Sequence, residues 1–270
     1  MTENWTQHRY PSLFESNGDR LVPTPAARGP WRSDSLHGGA VSALFANGVR
    51  PHGWVLARMT VDFIRRVPMS PLRLVAGGSS ETRRARREIL ELWADDRLVA
   101  EARCLMLPER QIDAFPPQSA RLVSAPHELS AEELEQGQSA IAERIGYPSF
   151  VSHGIAVQRA RIGTGESSSA VNWVKSLVPT IAGQPITAVE RACAAADFAN
   201  GGFSSLPFDK WTFVNLDLTV QLVRPPVDDW IAVANNSAAA STGVGLGGAD
   251  LFDVGGRFGG STATLLLERR

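Results

Sequence analysis

The sequence predicts an α+β fold built twice in one chain, each copy a single buried helix followed by a meander of antiparallel strands. Three observations lead there: an internal repeat, two helices made almost wholly of small apolar residues, and short alternating segments separated by turn-forming residues. The repeat is carried by Phe45-Ala46-Asn47-Gly48, which recurs as Phe198-Ala199-Asn200-Gly201. Further on, Thr60-Val61-Asp62-Phe63-Ile64-Arg65 is echoed by Thr219-Val220-Gln221-Leu222-Val223-Arg224. Arg97 through Leu107 parallels Arg257 through Leu267. Three matches in the same order, with spacings that drift by only a few residues, are the mark of duplication.

The helices are predicted over 37–49 and 187–200. Both are rich in Ala, Leu and Phe and end near Gly, a common helix stop. Thr187 with Glu190 three residues on reads as a capping box. Strands are predicted over 55–66, 71–82, 87–95 and 97–107, and again over 211–224, 229–240, 245–252 and 257–268. Alternation is plain in Glu88-Ile89-Leu90-Glu91-Leu92, and Pro68, Asp95-Asp96, Pro225-Pro226 and Gly255-Gly256 punctuate the strands. A helix apolar on all sides must be wrapped by its sheet. This is the double hotdog arrangement: a first hotdog at 1–108, a linker at 109–149, and a second at 150–270. In the linker, Ser130-Ala131-Glu132-Glu133 suggests a short helix.

Composition narrows the function. The chain has 270 residues, 43% hydrophobic and 20% charged, with a formal net charge of −1, which suits a globular protein and provides no global field for nucleic acid or an anionic membrane. No apolar run approaches the roughly 20 residues of a membrane span, and Met1-Thr2-Glu3-Asn4-Trp5 has no leader-like pattern. Cys104 and Cys193 form no CxxC pair and no His cluster has metal spacing. The expectation is a cytoplasmic protein without metal or organic cofactor. Arg83-Arg84-Ala85-Arg86-Arg87 reads either as a solvated turn or as a landing patch for an anionic ligand such as the phosphates of CoA.

Differences between the two copies point to chemistry. Where the first helix opens with His37-Gly38-Gly39, the second has Glu190-Arg191-Ala192; where the second carries Asp197, the first has Leu44. Gly38 and Gly39 leave a helix N-terminus bare, so that its amides can polarise a carbonyl; the alternative is close packing of backbone. Asp197 lies among alanines, and equivalence with Leu44 implies burial, which suits a general base. Thr219 is placed on a strand where its hydroxyl can hold a water beside Asp197, or else simply reflects the strand preference of threonine.

The segments Leu36-His37-Gly38-Gly39-Ala40, Ala196-Asp197-Phe198-Ala199-Asn200-Gly201 and Phe213-Val214-Asn215-Leu216-Asp217-Leu218-Thr219, the last leading to Arg224-Pro225-Pro226, resemble the double-hotdog acyl-CoA thioesterases of the thioesterase II type. That resemblance implies hydrolysis of an acyl-thioester, with Asp197 in the role of the family's helix Asp and Thr219 in that of its strand hydroxyl. His37, Gly38 and Gly39 then bind substrate. The family's late-strand Gln falls on Ala263 or Thr264, and neither is Gln. Asp197 serves either as general base or as covalent nucleophile. Two other readings stand beside this one: an acyl-thioester or fatty-acid binding protein without chemistry, and a hotdog hydratase, for which the sequence lacks the Asp/His pattern, with His127 and His153 outside the helices. Trp173, Phe203 and Phe208 are candidates to line the acyl groove. A homo-oligomer is expected, because hotdog sheets leave edges and faces to cover.

Overall fold

A computed structural model describes residues 9–49, 52–112, 143–162, 169–202, 210–236 and 238–270. The suggested helix at Ser130–Glu133, together with His127, Phe203 and Phe208, lies outside the described residues. The first half contains the hairpin β1 (Phe14–Asn17) and β2 (Arg20–Pro23), helix α1 (Gly38–Gly48), and strands β3 (Trp54–Asp62), β4 (Leu72–Glu81), β5 (Arg86–Ala94) and β6 (Arg97–Pro108). The second contains β7 (Ile155–Ile162), β8 (Ser169–Ser176), helix α2 (Ala188–Ala196), β9 (Trp211–Asn215), β10 (Asp217–Leu222), β11 (Trp230–Asn235), β12 (Ala238–Ala239), β13 (Val244–Asp253) and β14 (Gly256–Arg269).

One antiparallel sheet runs through both halves in the order β1-β2-β4-β5-β6-β3-β10-β14-β13-β11-β8-β7. The second half repeats the first in reverse, the signature of a pseudo-twofold axis between β3 and β10. At that seam the duplicated residues meet: Thr60 pairs with Thr219 and Met59 with Val220. Each helix is thus preceded by a hairpin that sequence alone did not reveal and is followed by the expected meander.

The sheet curls around α1 and α2, which pack against each other. Their ends alternate: the N-terminal Gly39 approaches Ala194 near the end of α2, while Asn47 at the other end of α1 reaches Glu190 near the start of α2. The core they fill is continuous across both halves, from Leu44, Phe45 and Met59 to Leu218, Phe258 and Leu265. Backbone bonds from Leu13 and Phe14 to Pro179 and Thr180 stitch the first hairpin to the second half. Trp173 packs in a separate small cluster with Val171, Ala232 and Phe252 and lines neither of the two clefts described below.

Two local deviations matter. Helix α2 stops at Ala196 and continues as a tighter turn over Asp197–Gly202, so Asp197 is the C-cap rather than a mid-helix residue. The expected strand 211–224 is also broken. Asn215 pairs with Leu265, whereas Thr219 pairs with Thr262, so four steps on one strand span three on its partner. The extra residue at Leu216–Asp217 is a bulge, and a one-residue slip transfers every later side chain to the other face. The orphaned N–H of Thr264 donates to the Asp217 carboxylate.

Candidate active site

Asp197 is almost fully buried, at 3% exposure. Its position at the end of α2 is unfavourable to a carboxylate, but it faces the N-terminus of α1, where the helix dipole favours negative charge. The Gly39 N–H donates to Oδ2 at 2.8 Å. His37 Nδ1 lies 2.9 Å from the same oxygen, and Asn215 Nδ2 donates to Oδ1. His37 Nδ1 is also 3.0 Å from Gly39 N. One ring nitrogen cannot both accept from Gly39 and donate to Asp197. With the carboxylate ionised, the proton belongs on Nδ1, and the amide of Gly39 serves Asp197. The imidazole is held between Phe150 (centroids 4.6 Å apart) and Phe198 (5.9 Å).

The two glycines make this approach possible. A Cβ on Gly38 would sit 2.8 Å from Asp197 Oδ1, and one on Gly39 would sit 2.7 Å from the backbone oxygen of Ala194. Close packing and carboxylate binding therefore use the same pair. The expectation that both amides polarise substrate is corrected at Gly39, whose N–H is committed to Asp197. Gly38 lines the adjacent cleft at the first turn of α1, where N–H groups have no partner within the helix.

The cleft has a volume of about 330 Å³ and is walled by Trp31, Leu36, Val41, Phe63 and Phe213, with Arg65 and Arg66 at one side. Asp197, His37, Gly38 and Asn215 all face it.

Thr219 is not part of this constellation. Beyond the bulge it projects from the face opposite the helices, as shown by its buried neighbours Leu218 and Val220, and its hydroxyl is 3.0 Å from that of Thr60. The expectation that it faces Asp197 fails for that reason. Asn215, just before the bulge, stands there instead. Its signal was present in the sequence: it shares the inward phase of Phe213, and a strand amide two residues from a core aromatic invites a polar partner inside. Ala263 is buried and Thr264 points to the outer face; neither lines the cleft.

Neither cysteine offers a nucleophile. Burial pushes the Cys104 thiol up to about 12, and burial raises fully enclosed Cys193 as well; thiols held protonated are inert.

Residues 27–107 match the model of the acyl-CoA thioesterase N-terminal domain, and residues 117–266 match that of the acyl-CoA thioesterase C-terminal domain. No curated protein matches. Among solved structures, the chain is similar to acyl-CoA thioesterase II of Mycobacterium marinum, at 15% identity, 87% of this chain, 90% of that one and TM-score 0.62. It is also similar to a hot dog fold protein of Alicyclobacillus acidocaldarius, at 14% identity, 94% and 95% coverage and TM-score 0.65. A third likeness is to the TesB protein of Mycobacterium avium subspecies paratuberculosis, at 17% identity, 94% and 95% coverage and TM-score 0.59. At these identities the likenesses establish the double hotdog fold, and the two domain matches establish more: this chain belongs to the acyl-CoA thioesterase family, whose members are thioester hydrolases.

Proposed function

We propose that the chain hydrolyses an acyl-CoA to the free acid and CoA in the cleft at the N-terminus of α1, with Asp197 as general base. The observation that carries this is a buried carboxylate facing the cleft with three of its roughly four lone-pair positions occupied by Gly39, His37 and Asn215. The remaining position is available to a water. Asp197 takes a proton as the water oxygen bonds to the thioester carbonyl carbon. The Gly38 amide and the α1 dipole stabilise the charge gathering on the carbonyl oxygen. Collapse breaks the carbon–sulfur bond; the thiolate leaves readily without prior protonation. His37 and Asn215 position the carboxylate.

Engagement of both carboxylate oxygens favours the base over a covalent nucleophile, which must free one oxygen for attack. Single turnover in heavy-oxygen water distinguishes them: a base puts the label into the product acid alone, while an attacking Asp197 acquires it. Thiol release across acyl-CoAs of graded chain length tests the activity itself and reads the acyl preference that the cleft imposes. A protein that binds these compounds and releases no thiol is the non-catalytic carrier.

Homo-oligomerisation is part of this reading. Val214, Leu266 and Val244 stand side by side on three adjacent strands and expose 37%, 39% and 55% of their surface on the side away from the helices. A second copy is the natural cover for such a row.

A further inference from the structure

The pseudo-twofold axis that relates the two halves also generates a second cleft, and its walls differ from those of the first. It lies at the N-terminus of α2, beside the end of β10 and the start of β3, where the Asp197 cleft lies at the N-terminus of α1 beside the end of β3 and the end of β9. With a volume of about 1310 Å³ it is much the larger. Trp54, Leu56, Val189 and Leu222 form an apolar wall. Leu107, Ile112 and Val223 stand at its lip with 40%, 61% and 84% of their surface exposed.

Among the described residues this cleft has no counterpart of Asp197. Leu44, fully buried, occupies the helix position equivalent to Asp197. Of the two carboxylates that line it, Glu109 is exposed, and Glu190 is consumed by the helix cap: it accepts from the Thr187 hydroxyl at 2.9 Å and the Thr187 amide at 3.4 Å, and from Asn47 at 3.4 Å. What it has instead is cationic charge. Arg83, Arg84 and Arg110 line it. The first two sit on the β4–β5 turn, which is fixed in shape because the Thr82 hydroxyl accepts from the amides of Arg84 and Ala85. The corresponding turn of the second half, Asn236-Ser237-Ala238-Ala239-Ala240-Ser241-Thr242-Gly243, has no basic residue. The basic stretch is therefore peculiar to this cleft.

A long apolar wall beneath a pair of exposed arginines on a hydrogen-bonded turn suits a ligand with a polyphosphate head and an acyl tail. We propose that this second cleft binds an acyl-CoA and does not hydrolyse it, so that one chain holds two such ligands and turns over one. The choice of ligand rests on the acyl-CoA reading of the Asp197 cleft; the presence of a binding site for a phosphorylated amphiphile does not.

The test is a calorimetric titration of the full chain with the thioether S-decyl-CoA, which cannot be hydrolysed, alongside thiol release from decanoyl-CoA. The wild type is expected to take up two equivalents per chain. R83E/R84E is expected to weaken one of them at least about tenfold at low salt, with KM and kcat for hydrolysis unchanged. Free CoA that occupies the second site equally well would show that the phosphates dominate recognition. A single equivalent that R83E/R84E leaves intact, or a KM that rises with the loss of binding, overturns the second site while leaving hydrolysis at Asp197 standing. Two equivalents, one sensitive to R83E/R84E, in a protein that releases no thiol would overturn the catalytic reading and leave this one in place.

Discussion

Thr60 and Thr219, equivalent residues of the duplicated halves, pair directly across the seam of the sheet, with their hydroxyls 3.0 Å apart. The axis relating the halves passes between them, and both hydroxyls lie on the face away from Asp197. Their work is therefore structural. Thr219→Val leaves one partner without its hydrogen bond on a half-exposed surface, so about 1 kcal/mol of stability is expected to be lost, with thiol release within about twofold of wild type. Thermal unfolding and steady-state rates on the same preparation check this.

Asn215 behaves oppositely. Asn215→Ala removes the donor to Oδ1 of Asp197 and with it one of three constraints on the carboxylate. A fall in kcat of about 10- to 100-fold is expected from misplacement of the base, with a smaller change in KM. Asn215→Asp, which sets a second negative charge against Asp197, is expected to do worse than alanine.

The two glycines separate packing from chemistry. Gly39→Ala drives a methyl group against the Ala194 backbone oxygen and the Phe150 ring; about 1–3 kcal/mol of destabilisation is expected from the forced separation of α1 and α2. At Gly38 the nearest atoms a methyl group would meet are those of the Asp197 side chain. Gly38→Ala is expected to cost less stability and more activity. Chemical denaturation paired with kinetics resolves the two effects.

A pH-dependent contribution to stability is expected from Arg224 and Asp253. Burial alone would raise the Asp253 carboxyl, but hydrogen bonds from Arg224 and from the amides of Val227 and Gly255 outweigh it and hold the group below its ordinary value. A carboxylate depressed in the fold stabilises fully above its unfolded value of about 3.9 and loses that contribution as pH falls through the lower, folded one. Asp253→Asn is expected to cost on the order of 2 kcal/mol at neutral pH. The gap to wild type should narrow as pH falls below about 3.9, as denaturant titrations at the two pH values would show.

The repeat, both helices, the α2 capping box and the meander were legible because each rests on local pattern: a recurring segment, small apolar runs, alternation with turn residues. The hairpins β1–β2 and β7–β8 were not. In β1 only Phe14 faces inward, and in β8 four successive residues from Val171 to Val174 are buried, so neither shows period-two alternation. Asp197, His37, Gly38 and Gly39 stand out in the sequence as residues in which the halves differ, yet their meeting depends on the helix packing that brings positions 158 apart in sequence into contact. The bulge at Leu216 was hidden because Leu216-Asp217-Leu218 still alternates, and that single extra residue places Asn215 rather than Thr219 beside Asp197.

The account stands most directly on Asp197, and the decisive measurement is thiol release from decanoyl-CoA by the wild type and by Asp197→Asn, with S-decyl-CoA binding measured on both. A general base at this position predicts a fall in kcat of at least about 100-fold, with ligand binding retained and the fold intact by circular dichroism. An asparagine variant that binds as before and turns over within about twofold of wild type would contradict it.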